Sequence, residues 1–151
     1  MTELMLKPGL TVAIITKNEA TNLEPCLLSL GDLADEIIII DSGSTDATAE
    51  IAARFGAKLY AYPDWPGFGL QRNRAHNHIE TEWVLWLDAD ERLSDELRQS
   101  IRNAFSNTAP DSKIIFKINR LTEAFGKFIY HCGWYPDEIV RLYPTAYTRY
   151  N

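Results

Sequence analysis

The chain has 151 residues, enough for one domain with a single sizeable core, and its apolar and charged contents of 46% and 24% are typical of a globular protein. The formal net charge of −6 disfavours a general nucleic-acid-binding protein. No apolar run approaches the roughly 18 residues of a transmembrane helix, and the first ten residues do not form a secretory signal.

Strand-like and helix-like segments alternate from the beginning of the chain. "LTVAIIT" (10–16) is β-branched and almost wholly apolar, which is typical of a strand buried on both faces of a parallel sheet. A helix follows, with Asn22 as its candidate N-cap and Gly31 as its C-terminal stop. A second buried strand, "EIIIID" (36–41), precedes a helix that we expect to stop at Gly56.

The alternation continues past the middle of the chain. We predict a short third strand at 57–62 and, after a loop rich in Pro and Gly, a helix over "LQRNRAHNHIE" (70–80). "EWVLWLDAD" (82–90) is predicted to be the fourth strand. Ser94 is the candidate N-cap of the next helix, and two acids follow it in the first turn.

The last third of the chain has a weaker pattern. "KIIFKINRL" (113–121) alternates enough to be an edge or mixed strand, and we interpret 122–151 as loops plus one short strand near 138–143. Strands alternating with helical crossovers predict a doubly wound, mostly parallel α/β sheet with helices on both faces. Without a repeat or a linker, the sequence predicts one domain.

Polar, acid-bearing segments follow three of the predicted strands. They are "TKNE" (16–19), "DSGSTD" (41–46) and "DADE" (88–91). In open α/β sheets, ligands bind outside the carboxyl ends of the strands, near the point where the strand order reverses. These three segments could therefore converge on one crevice.

The segment "DADE" places Asp88 and Asp90 one residue apart at the end of an apolar strand. Carboxylate oxygens suit Mg²⁺ or Mn²⁺, and ionised acids beside an apolar run are costly to desolvate unless they are paired or bind a metal. A bare D-x-D pattern also occurs by chance, and the competing interpretation is a solvated turn whose acids cap a helix.

Two further segments indicate a phosphate-bearing ligand. In "DSGSTDAT" (41–48), capping explains Ser44 and Thr45 but not Asp41, whose carboxylate could accept an N–H from the ring of a base. The segment is not G-x-G-x-x-G, so a dehydrogenase-type dinucleotide fold is disfavoured. Arg72 lies near the start of a predicted helix, where it suits a diphosphate, although it could equally be a surface arginine.

Taken together, these segments resemble the family 2 inverting glycosyltransferases with the GT-A fold. The likeness is greatest to the subgroup that adds a hexose, usually glucose, to the lipopolysaccharide inner core, and it covers roughly residues 10–145. The segments that carry it, in order, are "TVAIITKNEATNLEPCLLSL", "ADEIIIIDSGSTDATAEIA", "GFGLQRNRAH", "WVLWLDADERL" and "GWYPDEIVRLY".

The resemblance implies a site for the nucleotide of a UDP-sugar. Thr16, Asn18 and Glu19 match the loop that lines the uridine site in the family. Asp41 matches the acid that pairs with the uracil ring.

The resemblance also implies a diphosphate and metal site. Arg72 matches a basic residue near the nucleotide, Asp88 an acid near the ribose, and Asp90 the ligand of a divalent ion, Mg²⁺ or Mn²⁺. The buried fourth strand would then hold the backbone in place, and the acids at its end would face the UDP leaving group of the donor.

The general base that deprotonates the acceptor is assigned to Asp137, which fits the family's position better than Glu138. Two alternatives remain open: these acids could merely start a strand and pair with a nearby Arg, and His131 could act as the base. Members of the family usually have longer chains than this one. We therefore expect one domain over 1–151, with its nucleotide-sugar-binding part at about 10–105 and an incomplete acceptor-binding part at about 106–151.

The expected function is hexose transfer from UDP-glucose to a saccharide or glycolipid acceptor of the lipopolysaccharide inner core. The reaction would take place in the cytoplasm, at the inner face of the inner membrane. The segment 101–151, with 7 basic and 4 acidic side chains, could contact an anionic acceptor or the membrane peripherally. Cys26 and Cys132 are interpreted as free buried thiols in a reducing compartment.

The alternative function is a module of the same fold that binds a UDP-sugar without transferring it. Two other classes of enzyme fit less well. Haloacid-type phosphotransferases carry the motif on the first strand, whereas here it ends a later strand and Glu91 follows it. Nucleotidyltransferases usually have a Gly-rich loop after the first strand, and "TKNEATN" (16–22) contains no glycine.

Overall fold

The structure is a computed structural model that describes residues 5–119, 122–124, 127–129 and 138–146. Within these ranges it has eight strands and four helices, and none of the helices is long and apolar enough to cross a membrane. Their order is β1 (Lys7–Thr16), α1 (Ala20–Ser29), β2 (Glu36–Asp41), α2 (Thr48–Arg54), β3 (Lys58–Ala61), α3 (Phe68–His76), β4 (Thr81–Trp86), α4 (Asp95–Ser106), β5 (Phe116–Asn119), β6 (Thr122–Ala124), β7 (Lys127–Ile129) and β8 (Glu138–Pro144).

Six of the strands form one sheet in the order β3-β2-β1-β4-β8-β5. The pairs β2–β3, β1–β2 and β1–β4 are parallel, whereas β8 is antiparallel to both of its neighbours, β4 and β5. The strand order therefore reverses beside β1, between β2 and β4. In doubly wound sheets this reversal places the ligand crevice at the carboxyl ends of these strands.

Helices cover both faces of the sheet, as the sequence predicted. Leu10, Val12 and Ile14 of β1 face a core shared with α1, α2 and α4, whereas Ala13 faces a second core that includes Ala75 of α3. Because both faces are buried, the central strands are apolar throughout instead of alternating. Each fully buried Leu or Ile stabilises the fold by roughly 1.5–3 kcal/mol relative to an exposed one.

The predicted C-terminal ends of α1 and α2 agree with the structure, whereas the predicted N-terminal end of α1 does not. Gly31 and Gly56 have φ of 55° and 71° and follow α1 and α2, as predicted. The prediction of Asn22 as an N-cap is wrong, because α1 already begins at Ala20. The Ala20 N–H is bonded instead by the Asp46 carboxylate, which reaches it from the loop after β2.

The last third of the chain contains more strand than its sequence indicated. The strand predicted at 113–121 is confirmed as the shorter edge strand Phe116–Asn119, and the one near 138–143 is confirmed as Glu138–Pro144. The interpretation of the intervening residues as loops alone is wrong. Thr122–Ala124 and Lys127–Ile129 pair as a separate antiparallel ribbon.

Candidate functional site

The ends of β1 and β2 place two predicted nucleotide-binding residues side by side. The strand register pairs Thr16 with Asp41, and the Thr16 hydroxyl donates a 2.7 Å hydrogen bond to Asp41 Oδ1. Both residues are buried, with 1% and 5% of their surface exposed. The parallel register alone brings them together, because residues at the ends of adjacent parallel strands share one edge of the sheet.

The Asp41 carboxylate accepts four hydrogen bonds from the protein. Besides Thr16, the Ser44 hydroxyl donates to Oδ1, and the N–H groups of Gly43 and Ser44 donate to Oδ2 at 3.1 and 2.8 Å. Gly43 has φ of 88°, which lets the chain fold back over the carboxylate. Burial by itself would raise the pKa of Asp41, but the hydrogen bonds from Ser44, Thr16 and Gly43 outweigh it and hold this pKa below its ordinary value.

The loop after β1 is joined to the loop after β2. Asn18 has φ of 52°; its N–H donates to Ser44 Oγ and its Oδ1 accepts the N–H of Thr45, both at 2.7 Å. The N–H of Glu19 donates to Thr48 Oγ1 at 3.0 Å. The structure therefore brings Asn18 and Glu19 next to the loop that Asp41 organises, which is the grouping expected from the sequence.

Two side chains to which the sequence assigned no role brace the same loop. Lys17 Nζ donates to the carbonyl oxygens of Ser42 and Gly43 at 3.1 and 3.0 Å. Gln71 of α3 is fully buried, and its Nε2 donates to Ser42 Oγ at 2.9 Å while its Oε1 accepts from Arg74. A buried amide needs hydrogen-bond partners, but the burial of Gln71 could not be predicted from the sequence.

The turn after β4 holds its two aspartates in different surroundings. The Asp88 carboxylate lies between two arginines: Arg72 Nη2 is 3.5 Å from Oδ1, and Arg141 Nη2 is 3.3 Å from Oδ2. Glu91 closes the turn by accepting the Asp88 N–H at 2.7 Å, and it pairs with Arg141 at 3.0 and 3.1 Å. The contact of Arg72 with Asp88 is an ion pair at the limit of hydrogen-bond distance.

Asp90 is the acid of this turn that remains available. It is exposed, and within the described residues its carboxylate has neither a hydrogen bond nor an ion pair. No group of three or more His, Cys, Asp or Glu side chains in the described ranges is arranged to hold a metal. Mg²⁺ and related ions are commonly held by one or two carboxylates together with substrate phosphates. Asp90 therefore fits an ion that binds together with a diphosphate.

A buried thiol lies beneath this turn. Cys26 of α1 is fully buried, and its Sγ is 3.7 Å from the carbonyl oxygen of Asp88. Burial, followed by the negative charges of Glu91, Asp90 and Asp88, raises the pKa of the Cys26 thiol to about 12. Cys26 is thus a neutral packing group, which agrees with its interpretation as a free buried thiol. Cys132 lies outside the described residues.

Asp137 and its alternative His131 lie outside the described residues, as does the side chain of Glu138. The assignment of Asp137 therefore stays a prediction.

A surface cleft at the opposite edge of the sheet is separate from this site. Charged residues from the amino-terminal ends of the strands line it, including Lys7, Glu36, Lys58 and Glu80. None of the residues predicted to bind a ligand lies there. Since ligands of doubly wound sheets bind at the carboxyl ends, we assign this cleft no role.

Comparison with known proteins identifies the family. Residues 11–123, well over half of the chain, match the family model described as "Glycosyl transferase family 2". The chain belongs to glycosyl transferase family 2. This family 2 chain is 40% identical over 121 residues to an uncharacterized glycosyltransferase of Rickettsia bellii (strain RML369-C), and 38% identical over 116 residues to one of Rickettsia conorii. These matches cover 80% and 77% of the chain but only 40% and 41% of the two relatives, so the chain spans about two fifths of their length.

Solved structures show the fold of this family 2 chain. TarS 1-349 of S. aureus superposes with a TM-score of 0.61 over 91% of this chain and 47% of that one, at 21% identity. The mannosyltransferase PcManGT of Pyrobaculum calidifontis, in complex with GDP-Man and Mn²⁺, superposes with a TM-score of 0.56 at 27% identity, covering 68% of this chain and 32% of that one. The predicted GT-A fold, a mixed α/β architecture with a mostly parallel six-stranded sheet, is confirmed.

Proposed function

We propose that this family 2 chain binds a UDP-sugar together with Mg²⁺ or Mn²⁺ and transfers its hexose, glucose, to a saccharide acceptor with inversion. One observation carries this proposal. At the carboxyl edge of the sheet, Asp90 is exposed and unpaired within the described residues, next to an Asp88 that two arginines hold in place. A free acid beside two cations suits a metal–diphosphate pair.

In this proposal the nucleoside binds against the loops after β1 and β2. Thr16, Asn18 and Glu19 line the uridine, and Asp41 accepts the N–H of the uracil ring. A carboxylate offers about four acceptor sites, and those of Asp41 are already used by the protein. The uracil N–H must therefore replace one of these donors. In this proposal it replaces the Ser44 hydroxyl, which can rotate away from Asp41 Oδ1.

The diphosphate binds between the start of α3 and the turn after β4. Arg72 exchanges its long contact with Asp88 for a phosphate oxygen, and Asp90 binds the divalent ion. When bound, that ion supplies Lewis-acid stabilisation of the negative charge that develops on UDP as the sugar leaves. Support comes from the structural likeness to a mannosyltransferase whose complex contains GDP-Man and Mn²⁺.

The acceptor hydroxyl attacks the anomeric carbon while Asp137 removes its proton. We propose an acceptor of the lipopolysaccharide inner core type, reached in the cytoplasm at the inner face of the inner membrane. The basic excess of residues 101–151 supports an anionic acceptor.

A second candidate function is a module that binds the UDP-sugar without transferring it. The chain spans only about two fifths of the length of its relatives, and the acceptor side is the part that a longer chain would complete.

The experiment that separates the two functions measures UDP-glucose affinity and UDP release on the same samples. The full chain and Asp137→Asn are compared in Mn²⁺ buffer, with and without a panel of lipooligosaccharide acceptors. We expect Asp137→Asn to retain UDP-glucose affinity and to lose transfer, because the base acts on the acceptor. A variant that turns over normally would remove Asp137 as the base. Tight UDP-glucose binding without turnover by the unaltered chain would favour the binding module.

A further inference from the structure

Arg141 connects three separate points of the turn that carries the D-x-D motif. Its Nη1 donates to the carbonyl oxygen of Trp86, the last residue of β4, at 3.3 Å. Its Nη2 lies 3.3 Å from Asp88 Oδ2 and 3.1 Å from Glu91 Oε2, and its Nη1 lies 3.0 Å from Glu91 Oε1. A single guanidinium on β8 therefore contacts the turn at its start, at its middle and at its end.

Two of the three charges in this cluster are largely removed from water, whereas the Asp88 side chain is 41% exposed. The side chains of Arg141 and Glu91 are 10% and 18% exposed. A bidentate arginine–carboxylate pair at these distances fixes both partners, and removing one partner leaves the other as an uncompensated buried charge. Glu91 also accepts the Asp88 N–H at 2.7 Å, so the backbone of the turn is held by the same pair.

Three acids lie within four positions here, yet they are not arranged to hold a metal together. Two of them, Asp88 and Glu91, face Arg141, and only Asp90 is unpaired within the described residues. Three adjacent carboxylates without a cation between them would form an oxygen-rich site that attracts a divalent ion by itself. Arg141 thus contributes to leaving this turn with one available carboxylate instead of three.

We propose that Arg141 is a positioning residue that occupies Asp88 and Glu91, so that Asp90 alone is left to bind a divalent ion presented by a diphosphate. This inference deepens the proposed function and rests on it. Its consequence is that the chain binds Mn²⁺ weakly alone and more tightly with UDP. A merely structural role for Arg141 predicts no tighter binding of Mn²⁺ in the absence of nucleotide when Arg141 is replaced.

The test measures Mn²⁺ binding with and without UDP for the full chain and Arg141→Gln, by the EPR signal of free Mn²⁺. We expect opposite effects in the two titrations. Without nucleotide, Arg141→Gln binds Mn²⁺ several-fold more tightly, because Asp88 and Glu91 each lose a cation that competes with the metal. With Mn²⁺ at a fixed concentration, its affinity for UDP falls by about tenfold, because the turn that carries Asp90 loses the contacts that fix it; this is the lower end of the loss expected for an outer-shell partner of a metal site.

Arg102→Gln is the matched control, since it removes an arginine from an exposed ion pair with Asp32 and should change neither titration. If Arg141→Gln does not fold, Arg141→Lys is used instead; it keeps the charge but cannot contact Trp86, Asp88 and Glu91 at once, so UDP affinity should fall.

Two results would overturn the proposal. One is that Arg141→Gln binds both Mn²⁺ and UDP more weakly than the unaltered chain, and the other is that neither affinity changes. The Mn²⁺-only titration needs no nucleotide, so absent UDP binding by the unaltered chain would count against the proposed function and leave this inference to be decided by Mn²⁺ alone.

Discussion

The two aspartates of the D-x-D motif show how much the environment of a residue adds to its identity. The sequence predicts Asp88 near the ribose and Asp90 on the divalent ion, and the structure separates them into a paired Asp88 and an unpaired Asp90 within the described ranges. The partner that causes the difference, Arg141, is 53 positions from Asp88. A cation inside the apolar run "IVRLY" (139–143) was the available signal, because an arginine in a buried strand requires a partner.

Asp41 gives a prediction at the same scale. Asp41→Asn keeps an oxygen for the two N–H donors but replaces the charged oxygen that accepts from the Thr16 and Ser44 hydroxyls with an NH₂ group, so we expect a loss of about 2 kcal/mol of unfolding free energy at neutral pH. The hydrogen bonds hold the pKa of Asp41 below its unfolded value, so the folded protein binds fewer protons than the unfolded chain. The stabilisation is therefore complete above about pH 4 and lost as the pH falls through the lower, folded pKa.

Urea unfolding of both proteins at neutral pH and in acid measures this difference. Asp111→Asn is the control, because Asp111 is exposed and has no partner within the described residues. Equal stability of Asp41→Asn and the unaltered chain at neutral pH, or a difference that persists in strong acid, would show that the carboxylate does not organise the loop.

At the scale of elements, helix ends were predictable where the determinants are local. Ser94 caps α4 as expected, with its Oγ accepting the Leu97 N–H at 3.1 Å. The start of α1 was not predictable, because its first amide is bonded by Asp46, 26 positions away. The loop after β2 thus acts as the cap of α1, which joins the helix start to the candidate nucleotide site.

The cap of α4 can be tested with a matched pair of serines on one helix. Ser94→Ala should lower the unfolding free energy by about 1 kcal/mol, because the Leu97 N–H loses its acceptor. Ser100→Ala changes an exposed serine inside the same helix and should cause no loss, since alanine favours helix more than serine. Denaturant unfolding of both variants measures this, and equal destabilisation by the two would contradict the assigned cap.

At the scale of the whole molecule, the apolar strands and their helical crossovers were sufficient to predict the doubly wound sheet. The insertion of β8 between β4 and β5 was not predictable, because antiparallel pairing between distant segments leaves no local pattern. This insertion has a consequence for the site. It brings Arg141 to the turn after β4, so the part of the chain with the weakest sequence pattern completes the predicted metal-binding turn.

The central claim is that the carboxyl edge of this sheet binds a nucleotide diphosphate through a divalent ion on Asp90. The most direct measurement is a thermal-shift titration of the full chain and Asp90→Asn with UDP, with and without Mn²⁺, and with Asp111→Asn as control. We expect UDP to stabilise the unaltered chain and the control only when Mn²⁺ is present, by about 2.7 kcal/mol at a hundredfold excess over Kd, and Asp90→Asn to lose this stabilisation. Equal stabilisation of Asp90→Asn, or no response of the unaltered chain to UDP with Mn²⁺, would contradict the claim.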